Sequence, residues 1–364
     1  MESSVSDADV SGESWKKAKV VAEKLGYVPS SFSIAIRTLI QDQSNHGTVL
    51  KPITKYQVAR LLKTPTFKSM IYHGSVALRS DYVNNATKLT VGSLMDLYEP
   101  YDLGAMIACF VYYRKAKGLL GPDRWELIRE SISQHSQIGA QIGVAIPAIG
   151  LANGLIGGTI LKVGLAGLIL AEEKRYKEYE RHLKSSKLPY DFAKETELFG
   201  CSSQQVGVFA LSKMGFGVDI GEAFSTSLDL SRSIESLKEP RALRMRMTRA
   251  WIDTVIAGED KPSYRIPGEF YPTQAERDRM NAQVTRIMNG MKNWLDSDKE
   301  DISEDKTPKL FQQASTSDEF PEEFAEVFSE AEIGKMAEEE FDQIIDHLDA
   351  EDEQGGGDFE DMMG

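Results

Sequence analysis

The alternation of apolar and polar positions reads as a succession of helices from about residue 15 onward. Trp15 to Leu25 is a short amphipathic run that Gly26 stops. Thr64-Pro65 marks a helix start, because threonine can cap free N–H groups and proline tolerates the first helical position. Leu103 to Lys117 is apolar on nearly every face and ends at Gly118, the pattern of a buried helix. Gly121-Pro122-Asp123 opens the next helix, which carries Trp125, Leu127, Ile128, Ile132, Ile138 and Ile142.

The segment Gly143 to Ala171 departs from this pattern, with 29 residues and one charge, Lys162. Hydropathy alone makes it a candidate to cross a membrane. Pro147, Asn153-Gly154 and Gly157-Gly158 are expected to divide it into pieces shorter than a span, and glycine and alanine dominate rather than leucine. Small residues at close spacing let two helices pack backbone to backbone, which suits the middle of a helical domain.

Beyond Ala171 the sequence turns polar. Glu172 to Lys184 reads as a charged helix with Glu173–Lys177 and Glu180–Lys184 four residues apart and Tyr176, Tyr179 and Leu183 as its apolar stripe. Ser202 and Gln205 have capping-box spacing at the head of a helix that Gly215 and Gly217 close. Arg232 to Arg249 is locally basic. It reads as a solvated helix face with Leu243, Met247 and Trp251 turned inward, or as a docking surface for an acidic partner through Arg241, Arg244 and Arg246. Gly258 to Pro272 reads as loop, Thr273 to Leu295 as a last helix, and 296–317 as a polar linker.

Charge changes the picture at the C-terminus. The chain of 364 residues has a net charge of −14, and residues 318–364 hold 19 Asp or Glu against the single Lys335. The rest is near neutral, which argues against non-specific nucleic-acid binding through phosphate neutralisation. Within the tail, Phe324, Phe328, Phe341 and Ile345 fall near a helical stripe, so it reads as a partly disordered extension with one or two amphipathic helices that dock on a protein partner; a purely solubilising tail is the other reading. Two cysteines, Cys109 and Cys201, fit a reducing compartment and core positions better than a disulfide framework. The opening residues lack a basic flank and an apolar stretch, so 1–14 reads as a disordered lead-in without a secretory signal.

Catalytic equipment is sparse. None of the five histidines is followed by Asp, and no pair has zinc-like spacing. The glycine-rich Gly154-Leu155-Ile156-Gly157-Gly158 lacks the strand before it and the Lys-Ser or Lys-Thr after it that a phosphate-binding loop needs. No metal or other cofactor is expected.

Three pieces carry a family resemblance. His135-Ser136-Gln137-Ile138-Gly139-Ala140, Gly164 to Ala171, and Glu197 to Gly207 resemble, in order, the His-Ser helix, the Leu-Ala-Gly-Leu-Leu-His-Asp segment and the Phe-Gly-x-Asp-His-x-x-Val-Gly segment of HDOD domains, the HD-related output domains of bacterial signalling proteins. Leu62 to Phe67 is similar to the Asp-Pro turn of that family's first helices, and Met214 stands where the family often has Trp. On this alignment Leu170 and Ala171 replace the His-Asp pair, and Ser202 and Ser203 replace an Asp-His, with His135 completing the degenerate site. The resemblance implies an all-α, HD-like multi-helix bundle that regulates by binding and does not hydrolyse. The expected organisation is a lead-in (1–14), an N-terminal helical subdomain (15–118), an HD-like subdomain (119–258), a loop and final helix (259–300), a linker (301–317) and the acidic tail (318–364). The expected protein is a cytoplasmic bacterial regulator with a protein partner. A metal-dependent phosphohydrolase with an atypical site, and a protein that inserts residues 143–171 into a membrane, are the alternatives.

Overall fold

The computed structural model describes residues 7–62, 64–86, 89–298 and 301. The expectations placed on the acidic tail, with Phe324, Phe328, Phe341 and Ile345, lie outside the described residues. Within them, every regular element is helical: fifteen α-helices and three short 3₁₀ segments. In chain order these are α1 (Asp7–Glu23), α2 (Ser30–His46), α3 (Pro52–Leu62), α4 (Pro65–Leu78), α5 (Ser80–Asn85), α6 (Val91–Met95), α7 (Pro100–Glu126), α8 (Arg129–Ala145), α9 (Leu151–Ala171), α10 (Glu173–Ser186), α11 (Phe192–Phe199), α12 (Ser203–Lys213), α13 (Gly217–Leu228), α14 (Pro240–Ile256) and α15 (Gln274–Met288). α1 takes in residues 7–14, which composition alone assigned to the lead-in. A polar stretch extends a helix readily once the amphipathic run behind it has formed the nucleus.

The helices fall into two compact units, one built from the described residues up to Val28 with Val111–Met291, the other from Pro29–Phe110 with the described residues from Lys292 onward. In the second unit α2, α4 and the first part of α7 meet through an aromatic chain, Phe32 to Phe67 at 5.3 Å and Phe67 to Phe110 at 5.1 Å between ring centroids. Pro65 opens α4 as its sequence suggests. Thr64 does not cap it, since its hydroxyl donates back to Leu61 O at 3.1 Å.

The first unit is organised around α9, buried from Leu151 to Ile169 and packed against α8, α12 and α14. The expected breaks at Asn153-Gly154 and Gly157-Gly158 do not occur: α9 runs unbroken for 21 residues, the chain turning only at Pro147–Gly150. The glycines are there for contact. A methyl group on Gly154 would overlap the carbonyl of Gly139 on α8, and one on Gly158 would overlap the carbonyl of His135. Gly164 meets the Ser203 carbonyl of α12 in the same way. α9 is long and apolar enough to cross a membrane, yet 89% of its most apolar window is buried within the protein. Beside it, Ile138, Ile142, Met247, Trp251, Met280 and Ile287 form one apolar cluster, with Trp251 Nε1 donating to Phe270 O at 2.9 Å.

Candidate functional site

The helix ends that converge beside α9 are fixed by local rules visible in the sequence. Ser202 heads α12 with a capping box: its hydroxyl accepts from Gln205 N at 3.3 Å, while Gln205 Oε1 accepts from Ser202 N at 3.0 Å. Asp191 caps α11 by accepting from Lys194 N at 3.0 Å. α10 carries its expected pairs, Lys177 with Glu173 and Lys184 with Glu180, each at 2.9 Å. It turns Tyr176 and Tyr179 inward.

Between α8, α9, α10 and α11 these ends leave a cleft of about 600 Å³. His135, Lys162, Glu195 and Ser203 line it together with the tyrosines Tyr176, Tyr179 and Tyr190. The four non-aromatic groups are each at least nine-tenths buried. Glu195 is held by three donors: Ser203 N at 2.6 Å, Ser203 Oγ at 3.0 Å and the hydroxyl of Tyr179. Burial outweighs them and pushes its carboxyl up to about 7. Burial likewise brings the Lys162 amine down to about 7, helped by the guanidinium of Arg249 and opposed by Asp253 and Glu195. Among the described residues Lys162 makes no hydrogen bond and no ion pair.

His135 is also buried, and desolvation, with Lys162 and Arg249 adding to it, holds its ring well below the usual imidazole range. Its Nδ1 lies 2.7 Å from the carbonyl of Ser131, to which the neutral ring donates, leaving Nε2 as an acceptor with no hydrogen-bond partner among the described residues. Arg249 pairs with Asp253 at 2.7 Å and lies 5.4 Å from the centre of the Tyr190 ring, and its second terminal nitrogen finds no hydrogen-bond partner among the described residues.

Of the five positions that resemblance assigned to a degenerate metal site, two reach the cleft: His135 and Ser203. Ser202 is spent on the capping box. Leu170 and Ala171 sit half-buried at the end of α9, two turns beyond Lys162, and do not line the cleft. The α9 residues on its wall are Leu161, Lys162 and Leu165. Lys162 and Glu195, the two ionisable groups at the heart of the site, were not among the sequence candidates. The signal for Lys162 was available, as the single charge in a 29-residue apolar segment.

The basic stretch also needs correction. Arg246 is buried on α14, and its guanidinium donates to the carbonyls of Ser227, Asp229 and Arg232, closing the end of α13. It is no part of an exposed docking face. Arg244 is exposed and Arg241 half-buried. Among the described residues no three His, Cys, Asp or Glu side chains gather in a way that could hold a metal ion. In comparisons with family models, with curated proteins and with solved structures, the chain finds no match.

Proposed function

We propose that the chain is a non-catalytic regulatory protein of the HDOD type, in which the first unit binds a small signal molecule in the cleft beside α9 and the acidic tail docks on a protein partner in the bacterial cytoplasm. The observation that carries this reading is the cleft itself. A cavity of about 600 Å³ lies within the range of small-molecule sites, and its wall mixes leucines and tyrosines with polar groups, among them the buried His135, Lys162, Glu195 and Ser203. The Lys162 amine at its wall, with no hydrogen-bond partner among the described residues, suits a polar group of a ligand. His135 and Ser203, drawn from two of the three segments that resemble the family, meet in this one cleft, which is where such a domain would keep a converted site.

The experiment is a fragment screen by crystal soaking with small carboxylates, phosphates and heteroaromatic amines. Fragments gathering in the cleft are the expected result, and a cleft that stays empty throughout would count against the reading. In parallel, bis-p-nitrophenyl phosphate with added manganese reports on the phosphohydrolase alternative. Turnover with stoichiometric metal would replace the binding role by an enzymatic one.

A further inference from the structure

We propose that Lys162 is a carbonyl-capturing amine: a small aldehyde or ketone that enters the cleft forms a reversible imine with its Nζ. The proposal rests on the cleft being a ligand site and adds what kind of ligand it takes.

Three observations support it. First, Lys162 is 8% exposed, lines the cleft, and has no hydrogen-bond acceptor for its ammonium protons among the described residues. A lysine whose charge is unwelcome is a nucleophile, since a neutral amine attacks carbonyl carbon and an ammonium does not. Second, burial as such does not produce this arrangement. Lys115 is as buried, at 3% exposed, but its Nζ donates to Tyr27 O at 2.6 Å and it does not line the cleft. Third, the groups that face Lys162 from the neighbouring helices suit the proton traffic of imine formation. His135 on α8 offers an unprotonated Nε2, and Glu195 on α11 exchanges its proton near neutral pH. Arg249 on α14 repels a charge on the amine, while its partner Asp253 opposes that effect. The tyrosines of α10, Tyr176 and Tyr179, are protonated at neutral pH like any tyrosine, and burial pushes their pKa values higher still.

The step balances without a redox partner. The amine nitrogen bonds to the carbonyl carbon, giving a carbinolamine. The carbon–oxygen bond then breaks, and the oxygen leaves as water with the two hydrogens that began on the amine. Glu195 in its protonated form is the acid placed to supply a proton to the leaving oxygen, and it regains one as the nitrogen becomes neutral.

The test is site-resolved reductive trapping on the full chain. Propanal and sodium cyanoborohydride are applied at pH 7, and the occupancy of each lysine is read by peptide mass spectrometry. An ordinary lysine with a pKa near 10.4 is unprotonated in about one molecule in 2500 at pH 7, against about half for an amine titrating near 7. Even with restricted access, Lys162 is expected to be labelled at least about tenfold faster than exposed Lys174 and Lys187, with the advantage shrinking toward pH 10 and vanishing in urea. Labelling of Lys162 no faster than of those two overturns the proposal. Because the reading is taken on the wild-type chain, it does not depend on a Lys162 variant that folds. A cleft that takes soaked fragments but never reacts at Lys162 sinks the imine and spares the binding reading.

Discussion

At the scale of single residues, Glu195 has the clearest consequence for stability. Its folded carboxyl titrates near 7, while the unfolded chain releases the proton near 4.5. Between those values the folded state holds a proton that the unfolded state has lost, so this group makes stability fall as pH rises from about 4.5 to 7. Lys162 acts in the other direction and over a higher window. Its folded amine titrates near 7 against 10.5 unfolded, so stability rises with pH from about 7 to 10.5. Glu195→Gln removes the first limb. Urea unfolding of the variant is expected to show its stability improving relative to the wild-type chain as pH goes from 4.5 to 7, by up to about 3 kcal/mol at 1.36 kcal/mol per pKa unit. A difference that stays constant across that range would mean that the Ser203 and Tyr179 donors keep Glu195 ionised throughout.

At the scale of elements, the fold depends on how closely α8 and α9 approach. Gly154→Ala sets a methyl group against backbone on the facing helix, which has no side-chain freedom with which to yield. The expected cost is about 3 kcal/mol or more by urea unfolding, at the upper end for overpacking. Gly157→Ala meets the Thr248 side chain at 3.1 Å and should cost less. Gly12→Ala on α1 meets nothing within 4 Å and should stabilise by up to about 1 kcal/mol through helix propensity. If the three variants fell in any other order, the glycines would not be contact residues. Ser202→Ala should cost about 1 kcal/mol, since it removes one half of the capping box and leaves the N–H of Gln205 unserved. These elements also separate what sequence can and cannot give. The Ser202–Gln205 box, the two ion pairs of α10 and the glycine stop after α12 follow from residues three or four apart, and they were legible. The continuity of α9 was not, because Asn153-Gly154 and Gly157-Gly158 look like breaks until α8 is known to lie against them. Arg246 was misread for the same reason: the carbonyls of Ser227 and Asp229 that hold it are 19 and 17 residues away. The meeting of Lys162 with Glu195 is likewise a product of helix packing, over a separation that no local pattern encodes.

At the scale of the whole molecule, the dominant fact is the placement of charge. Residues 318–364, with 19 Asp or Glu against one Lys, carry a net −18 that outweighs the chain's total of −14, and the remainder of the chain is close to neutral. A concentrated acidic segment with aromatic residues among its carboxylates suits recognition of a basic, partly apolar surface, with an electrostatic share that salt screens over about 10 Å at 0.1 M. If the tail docks on a partner, deleting 318–364 should remove particular proteins from an affinity capture in the native host, and raising the salt on the intact chain should remove the same ones. The thermal unfolding midpoint of the shortened chain should match that of the intact one, because the apolar cluster of the first unit draws on residues 138–287. That equality is what lets lost partners be assigned to the tail rather than to a damaged fold. Recovery of an identical set of proteins by both chains would count against docking through the tail and favour its reading as a solubilising extension.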